Sequence, residues 1–298
     1  GIVNQKICLG AANFGLQYGI YSKKVSFKKI NKILIEAKKN KIKYFDTAFS
    51  YGKAEKIIGQ ILSKNKYNVK ILSKLDPSNI KKSNVSSWFF NSLFSTLKNL
   101  HQKSLYGMYI HNENQLLGPE GKQIFELLEI SKKFGFIENI GISIYNKKNL
   151  DKLLKKYKFD IVQLPISLLD QRLIKDGTLK KIKLKKIKIF ARSIFLKKIL
   201  LLETKKRPKY FKKWSFELAA YDSYIKKNRI SKLDACLQFV NSIKEIDNII
   251  VGVSDLNQFK KINLSIKKKK KLKTKLILKI KNKKNFERLV NPSFWKLK

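Results

Sequence analysis

Short apolar runs alternate with segments of helical period along almost the whole chain. Runs of strand character fall at 7–10, 43–46, 70–74, 106–111, 137–143, 161–164, 187–191 and 249–251. Three of the segments between them show the helical repeat directly. Within 84–100, Val85, Trp88, Phe89, Leu93, Phe94, Leu97 and Leu100 share one face; within 122–134, Ile124, Phe125, Leu128 and Phe134 do so; within 147–157, Leu150, Leu153, Leu154 and Tyr157. Repeated strand–helix units without a doubly wound phosphate fingerprint predict an α/β fold closed into a parallel (β/α)8 TIM barrel. The interval from 191 to 251 is too long for one helix and predicts an insertion between strands 7 and 8. Its aromatic- and lysine-rich stretch 198–230 reads as an ordered excursion over the barrel mouth. The run 267–284 is dominated by lysine but keeps Leu272, Leu276, Ile277 and Ile280, which predicts a solvated, Lys-rich C-terminal helix. No domain boundary is evident, so 1–298 read as one barrel domain, with 267–298 as an extension.

Composition narrows the class. A chain of 298 residues with 43% hydrophobic content can bury a sizeable core. No apolar run reaches the roughly 18 residues that a membrane helix needs, and no signal-peptide stretch opens the sequence. Gly1 would suit N-myristoylation, but Gln5 stands where Ser or Thr is wanted. Two cysteines, Cys8 and Cys236, supply neither a disulfide framework nor a metal-ligand spacing. These features predict a cytoplasmic protein with reduced thiols, no metal and no membrane partner. The net charge of +46 is carried by lysine in 62 of 67 basic positions. A dedicated nucleic-acid surface favours the bidentate fork of Arg. Lysine spread along every segment therefore reads as compositional bias, and no specific nucleic-acid partner is expected. The field still attracts anionic ligands.

Candidate chemistry gathers at strand ends. Asp46 closes the second strand, Tyr51 stands five residues on, Lys74 ends the third strand and His111 the fourth. Reactive groups of a parallel barrel come from these carboxyl ends. Singly each has an ordinary explanation: a helix cap, a packing phenol, a solvated ammonium. A phenol near pKa 10 is a weak acid at neutral pH. A neighbouring ammonium lowers that value, and a carboxylate keeps the ammonium charged and oriented. The pattern assigns Tyr51 as proton donor, Lys74 as its electrostatic partner, Asp46 as the anchor of Lys74, and His111 as the group that fixes a carbonyl oxygen. Such a set polarises a carbonyl but supplies no hydride, which calls for a nicotinamide. His101, at a helix end without such company, reads as structural.

These residues resemble the aldo-keto reductases. The pattern Asp-Thr-Ala-x-x-Tyr-Gly-x-x-Glu-x-x-x-Gly is met at every fixed position from Asp46 to Gly59, and Lys74 and His111 fall where that family places its other catalytic residues. The resemblance runs from Leu9 to about residue 262. It implies reduction of an aldehyde or ketone to an alcohol with NADPH, NADH being the less common alternative. By the same resemblance Ser143 and Gln163 hold the nicotinamide carboxamide, although Ile144 replaces the usual Asn. The run Ala191 to Leu196 resembles the loop that wraps the pyrophosphate, with Arg192 and Ser193 as cofactor-binding candidates, the Arg192 guanidinium either flat against the nicotinamide ring or reaching a phosphate. Arg192 stands where many relatives stack an aromatic on the nicotinamide. Gly252, Ser254 and Gln258 lie in the motif that grips the adenosine end, without the Arg or Lys that often binds a 2′-phosphate; Lys260 or Lys261 could supply that charge. The runs 168–172 and 192–196 resemble a bacterial branch, which implies a small polar, sugar-derived or anionic carbonyl substrate. Phe14, Tyr18, Phe49, Trp88 or Phe89 and the aromatics of 210–224 are candidates for its pocket. The departures at Ile144, Arg192 and 252–254 leave one alternative, a redox-silent cofactor-binding barrel that serves as an interaction or sensor module.

Overall fold

The computed structural model describes residues 6–17, 20, 23–76, 80, 84–145, 147–268, 272, 274–281 and 283–297. Eight parallel strands close in sequence order: β1 (Ile7–Gly10), β2 (Tyr44–Asp46), β3 (Lys70–Leu75), β4 (Leu105–Ile110), β5 (Ile137–Ser143), β6 (Ile161–Pro165), β7 (Lys188–Arg192) and β8 (Asn248–Gly252). β8 returns to β1, with Gly10 opposite both Asp46 and Gly252. The expected strands all form, within a residue or two at each end. Around them run eight helices, α1 (Phe27–Lys39), α2 (Ala54–Lys64), α3 (Val85–Leu100), α4 (Gly121–Lys133), α5 (Lys147–Lys156), α6 (Thr178–Leu184), α7 (Lys232–Asn241) and α8 (Leu256–Lys267).

Local chemistry sets the starts of several helices. Ser26 and Ser231 accept the Lys29 and Asp234 amides at the heads of α1 and α7, and Asp255 accepts the Gln258 amide at the head of α8. The apolar face of each helix lies on the sheet. In α3 this face is Val85, Phe89, Leu93, Leu97 and Leu100, while Phe94 is 45% exposed. Phe134, read as part of the α4 face, lies just past that helix and is 71% exposed. Inside the barrel a separate cluster forms from Cys8, Leu72, Tyr109, Ile161 and Phe190, contributed by strands that are not all neighbours. The period of two along each strand that aims these side chains inward also aims Asp46, Lys74, Gln163 and Arg192 inward, one layer higher.

Two expectations about the periphery change. Residues 275–280, expected in the terminal helix, form neither helix nor strand, with Leu276 and Leu278 buried and Ile277 exposed. The alternation of period two wins because the strap docks on the barrel, where Gln171 Nε2 donates to the Leu276 carbonyl and Tyr224 Oη to that of Thr274. The insertion is ordered as expected, with a helix at Ser215–Asn228. Three of its aromatics, however, turn into the core: Phe211, Trp214 and Tyr221 are almost fully buried, and Tyr221 Oη donates to the Leu200 carbonyl, while Phe216 is exposed.

Candidate active site

The loop after β2 carries Tyr51, and its path depends on two glycines. A Cβ on Gly15 would lie 1.6 Å from the Tyr51 carbonyl oxygen, so only glycine lets the two backbones touch. Gly52 follows Tyr51 in the left-handed region at φ 59° and turns the chain into α2. Behind this loop the buried Glu55 carboxylate accepts hydroxyl bonds from Ser73 at 2.8 Å and Thr96 at 3.2 Å. It ties α2 to β3 and α3 immediately beside Lys74.

Asp46, Tyr51, Lys74 and His111 converge at the carboxyl end of the barrel. Lys74 Nζ donates to Asp46 Oδ2 at 2.7 Å, to the Thr47 carbonyl at 3.0 Å and to Tyr51 Oη at 3.5 Å. Lys74 is 2% exposed and Asp46 3%. The other oxygen of Asp46 accepts the Gln163 amide at 2.9 Å. The Tyr51 and His111 rings meet edge to face, with centroids 6.1 Å apart. His111 Nδ1 lies 3.3 Å from Ser50 Oγ.

Burial opposes charge on Lys74, yet the Asp46 carboxylate and the Tyr51 phenol together hold its pKa above the ordinary lysine value. Burial pushes the Tyr51 phenol up; Lys74 pulls it down but does not overcome the dehydration. The lowering expected for Tyr51 is thus reversed in sign, because dehydration of the phenol outweighs the pull of its ammonium partner. His111 is lowered to about 4 by burial first and by the positive charge of Lys74 second, so its imidazole is neutral near pH 7.

A cleft opens beside these groups, lined by Gly10, Asn13, Asp46, Tyr51, Gln163, Arg192, Ser193, Lys197, Lys198, Gly252 and Gln258 among others. A second cleft shares Lys198 and adds Lys23, Lys24, Lys29, Ser254 and Asp255. A model of the aldo/keto reductase family matches residues 6–284. The chain belongs to that family. It is accordingly an NAD(P)H-dependent oxidoreductase that acts on carbonyl compounds with a nicotinamide cofactor.

Solved structures agree on the fold. An aldo-keto reductase from Bacillus halodurans in its holo form is 16% identical, with a TM-score of 0.71 over 88% of this chain and 87% of that one. A thermostable aldo-keto reductase solved with the inhibitor epalrestat is 18% identical, with a TM-score of 0.67 over 95% and 93%. A comparison with curated protein sequences returned no match. Among the described residues no helix is long and apolar enough to cross a membrane. No group of three or more His, Cys, Asp or Glu there could hold a metal.

The cofactor candidates of this aldo-keto reductase distribute around the two clefts. Gln163, Arg192, Ser193, Gly252 and Gln258 line the first, and Ser254 lines the second. Ser143 is buried at the end of β5 opposite Gln163 and is not among the lining residues. Ser254 N–H donates to Gln258 Oε1 at 3.0 Å, which joins the adenosine-end candidates into one unit. Two buried polar atoms in the first cleft, Asn13 Oδ1 and Arg192 Nε, have no protein partner. Unpaired polar atoms and clustered lysines beside a glycine-edged groove fit a polar, anionic dinucleotide. Lys260 and Lys261 are exposed on α8 and line neither cleft.

Sequence reasoning did not single out Tyr145, Lys197 or Lys198. Tyr145 was open to detection, being two residues past Ser143 and so on the same inward parity. The lysines were not, because the loop Ser193–Lys198 takes left-handed conformations at Ser193, Leu196, Lys197 and Lys198 without a glycine to announce them. Of the pocket aromatics, Phe14 and Phe89 are buried in the core, Trp88 packs against it, Phe49 is 48% exposed, and Tyr18 lies outside the described residues.

Proposed function

We propose that this protein reduces an aldehyde or ketone to the alcohol, with Tyr51 as the proton donor. The observation that carries the reading is the buried chain Asp46–Lys74–Tyr51, with contacts of 2.7 and 3.5 Å, facing a neutral His111. Tyr51 holds its proton at neutral pH, its pKa lying above the ordinary phenol value. As the carbonyl oxygen gains electron density, Tyr51 Oη gives up that proton, and the Lys74 ammonium stabilises the phenolate left behind. Asp46 keeps Lys74 charged and aimed. His111, with Ser50 at Nδ1, presents Nε2 to the carbonyl oxygen as a neutral hydrogen-bond donor. Gln163, Asn13 and the loop from Ser193 to Lys198 would hold the dinucleotide, whose bound nicotinamide supplies the hydride. Tyr51→Phe should cut kcat by about 10²–10⁴-fold while leaving the urea midpoint nearly unchanged. Undiminished turnover of a simple aldehyde by that variant rejects Tyr51 as the acid.

We infer NADPH rather than NADH. Lys23, Lys24, Lys29 and Lys198 line one cleft with Ser254, which supports recognition of a ribose 2′-phosphate. Lys198→Met with Lys29→Met should weaken NADPH by roughly 10-fold or more, read as a Kd by fluorescence titration, and NADH far less. Equal weakening of the two cofactors rejects the assignment. Buried free thiols at Cys8 and Cys236 support a cytoplasmic location, and the docked strap 274–281 supports a single barrel domain.

A further inference from the structure

Arg192 occupies an electrostatic position unlike that of any other arginine in the chain. Arg172 and Arg207 each fork onto a carboxylate, Asp170 and Asp222, and Arg229 and Arg288 are exposed. Arg192 is half-buried in the first cleft and has no carboxylate within ion-pair distance among the described residues. Holding a guanidinium partly out of water without a counter-charge is costly. The protein nevertheless fixes it firmly. Nη2 donates to the Ile144 carbonyl at 2.7 Å, Nη1 lies 3.4 Å from Ser193 Oγ, and the guanidinium carbon sits 3.8 Å from the centroid of the Tyr145 ring. Tyr145 is pinned in turn by its backbone N–H, which reaches both carboxylate oxygens of buried Glu113 at 3.2 Å. Nε remains buried and unpaired.

The place of the pair matters. Arg192 and Tyr51 line the same cleft, and the positive charge of Arg192 acts on His111 as the Tyr145 phenol does on Tyr51. The cationic pair therefore stands beside the two groups that would hold the reacting oxygen. Lys197 and Lys198 line the same cleft, and Lys198 Nζ lies 3.5 Å from Ser254 Oγ, where the second cleft begins. The groove thus already holds cations suited to the dinucleotide phosphates besides Arg192. A planar, pre-oriented guanidinium recognises a carboxylate or phosphate more selectively than an ammonium does.

We propose that Arg192, held flat against Tyr145, is the docking point for an anionic group on the carbonyl substrate itself, which makes the substrate class aldehydo or keto acids or their phosphate esters. The proposal rests on the carbonyl-reductase reading above. It is tested with two matched pairs, 4-carboxybenzaldehyde against its methyl ester, and glyceraldehyde 3-phosphate against glyceraldehyde. The wild-type protein should favour the anionic member of at least one pair, and which pair it is separates a carboxylate from a phosphate. Arg192→Met should lower the anionic-to-neutral ratio of kcat/KM by about 10- to 100-fold, chiefly through KM, as expected for losing a charged hydrogen bond. Arg192→Lys should restore part of it. Tyr145→Leu, which keeps the charge but frees the side chain, should lower the ratio by a smaller factor and decides the matter if Arg192→Met does not fold. The NADPH Kd of each variant, from fluorescence titration, is the second readout. A ratio unmoved in the variants overturns the proposal, as does a loss shared equally by both members of a pair with a matching rise in Kd, which would give Arg192 to the dinucleotide. A wild type that reduces neutral aldehydes without preferring anionic ones sinks this proposal alone. A wild type that reduces none sinks the carbonyl-reductase reading beneath it.

Discussion

Strands β3 and β7 each carry a cation at both ends, on the same inward parity: Lys70 and Lys74 on one, Lys188 and Arg192 on the other. At the amino end Lys70 is exposed above the Tyr44 and Tyr106 rings, and Lys188 bonds Tyr106 Oη at 2.8 Å. At the carboxyl end Lys74 is buried against a carboxylate and Arg192 is clamped between a ring and a carbonyl. Residue type is therefore a poor guide to function in so lysine-rich a chain. Burial with a fixed partner separates the chemical cations from the compositional ones. The loops repeat the contrast: those after β4, β5 and β8, between strand and next helix, hold no lysine before that helix begins, whereas each of the turns into β2, β3, β6 and β7 carries at least one.

The largest expected difference between the two ends is in stability. Lys74→Met leaves Asp46 buried without its cation and should cost about 3–5 kcal/mol, read from urea denaturation, with turnover lost as well. Adding Asp46→Asn should recover part of that stability but none of the activity. Lys70→Met removes only exposed cation–π contacts and should cost no more than about 1 kcal/mol. Similar losses at both ends would break the comparison.

The pH response sharpens it further. The His111 pKa is depressed to about 4 from an unfolded value of 6.5. The unfolded chain therefore takes up a proton that the folded protein refuses, and stability falls as pH drops from about 6.5 through 4. His111→Asn should flatten the urea midpoint across that window. Activity should hold down to about pH 5, with the acid limb of kcat/KM appearing near 4 rather than 6.5. A limb near 6.5 would mean that the imidazole is not held neutral.

The smallest effects concern backbone. Lys66 and Lys186 close α2 and α6 in left-handed conformations, at φ 46° and 57°, where α4 is closed by Gly135 at φ 79°. Lys66→Gly and Lys186→Gly should each raise stability by about 0.5–1 kcal/mol. Lys198→Gly, at φ 74° in the mouth, should relieve similar strain but weaken NADPH. A gain at the base with no loss at the mouth would show that Lys198 is ornamental.

The barrel was legible because period-two runs buried on both faces tolerate little but apolar residues, and the Asp46–Gly59 motif made the reactive cluster legible too. The strap 274–281 was misread because Leu272, Leu276 and Ile280 recur every fourth residue, as in a helix, while Leu276 and Leu278 alternate. Only contacts with Gln171 and Tyr224, distant in sequence, choose between those patterns. The direction of the Tyr51 shift depends on depth, which no residue pattern states. Arg192 was visible as a departure, but its stacking on Tyr145 needs β5 and β7 brought within reach of each other, and these strands are separated by β6.

Four left-handed residues crowded between Ser193 and Lys198 cost on the order of 1–2 kcal/mol apiece relative to relaxed backbone. Turn bonds hold the loop in that shape, among them Leu196 N–H to the Ser193 carbonyl and Ile199 N–H to that of Leu196, both at 3.0 Å. It is thus a wound spring seated on a rigid ring: its amides should exchange with deuterium well before those of β7, and the groove should loosen at temperatures where the cylinder beneath is still intact.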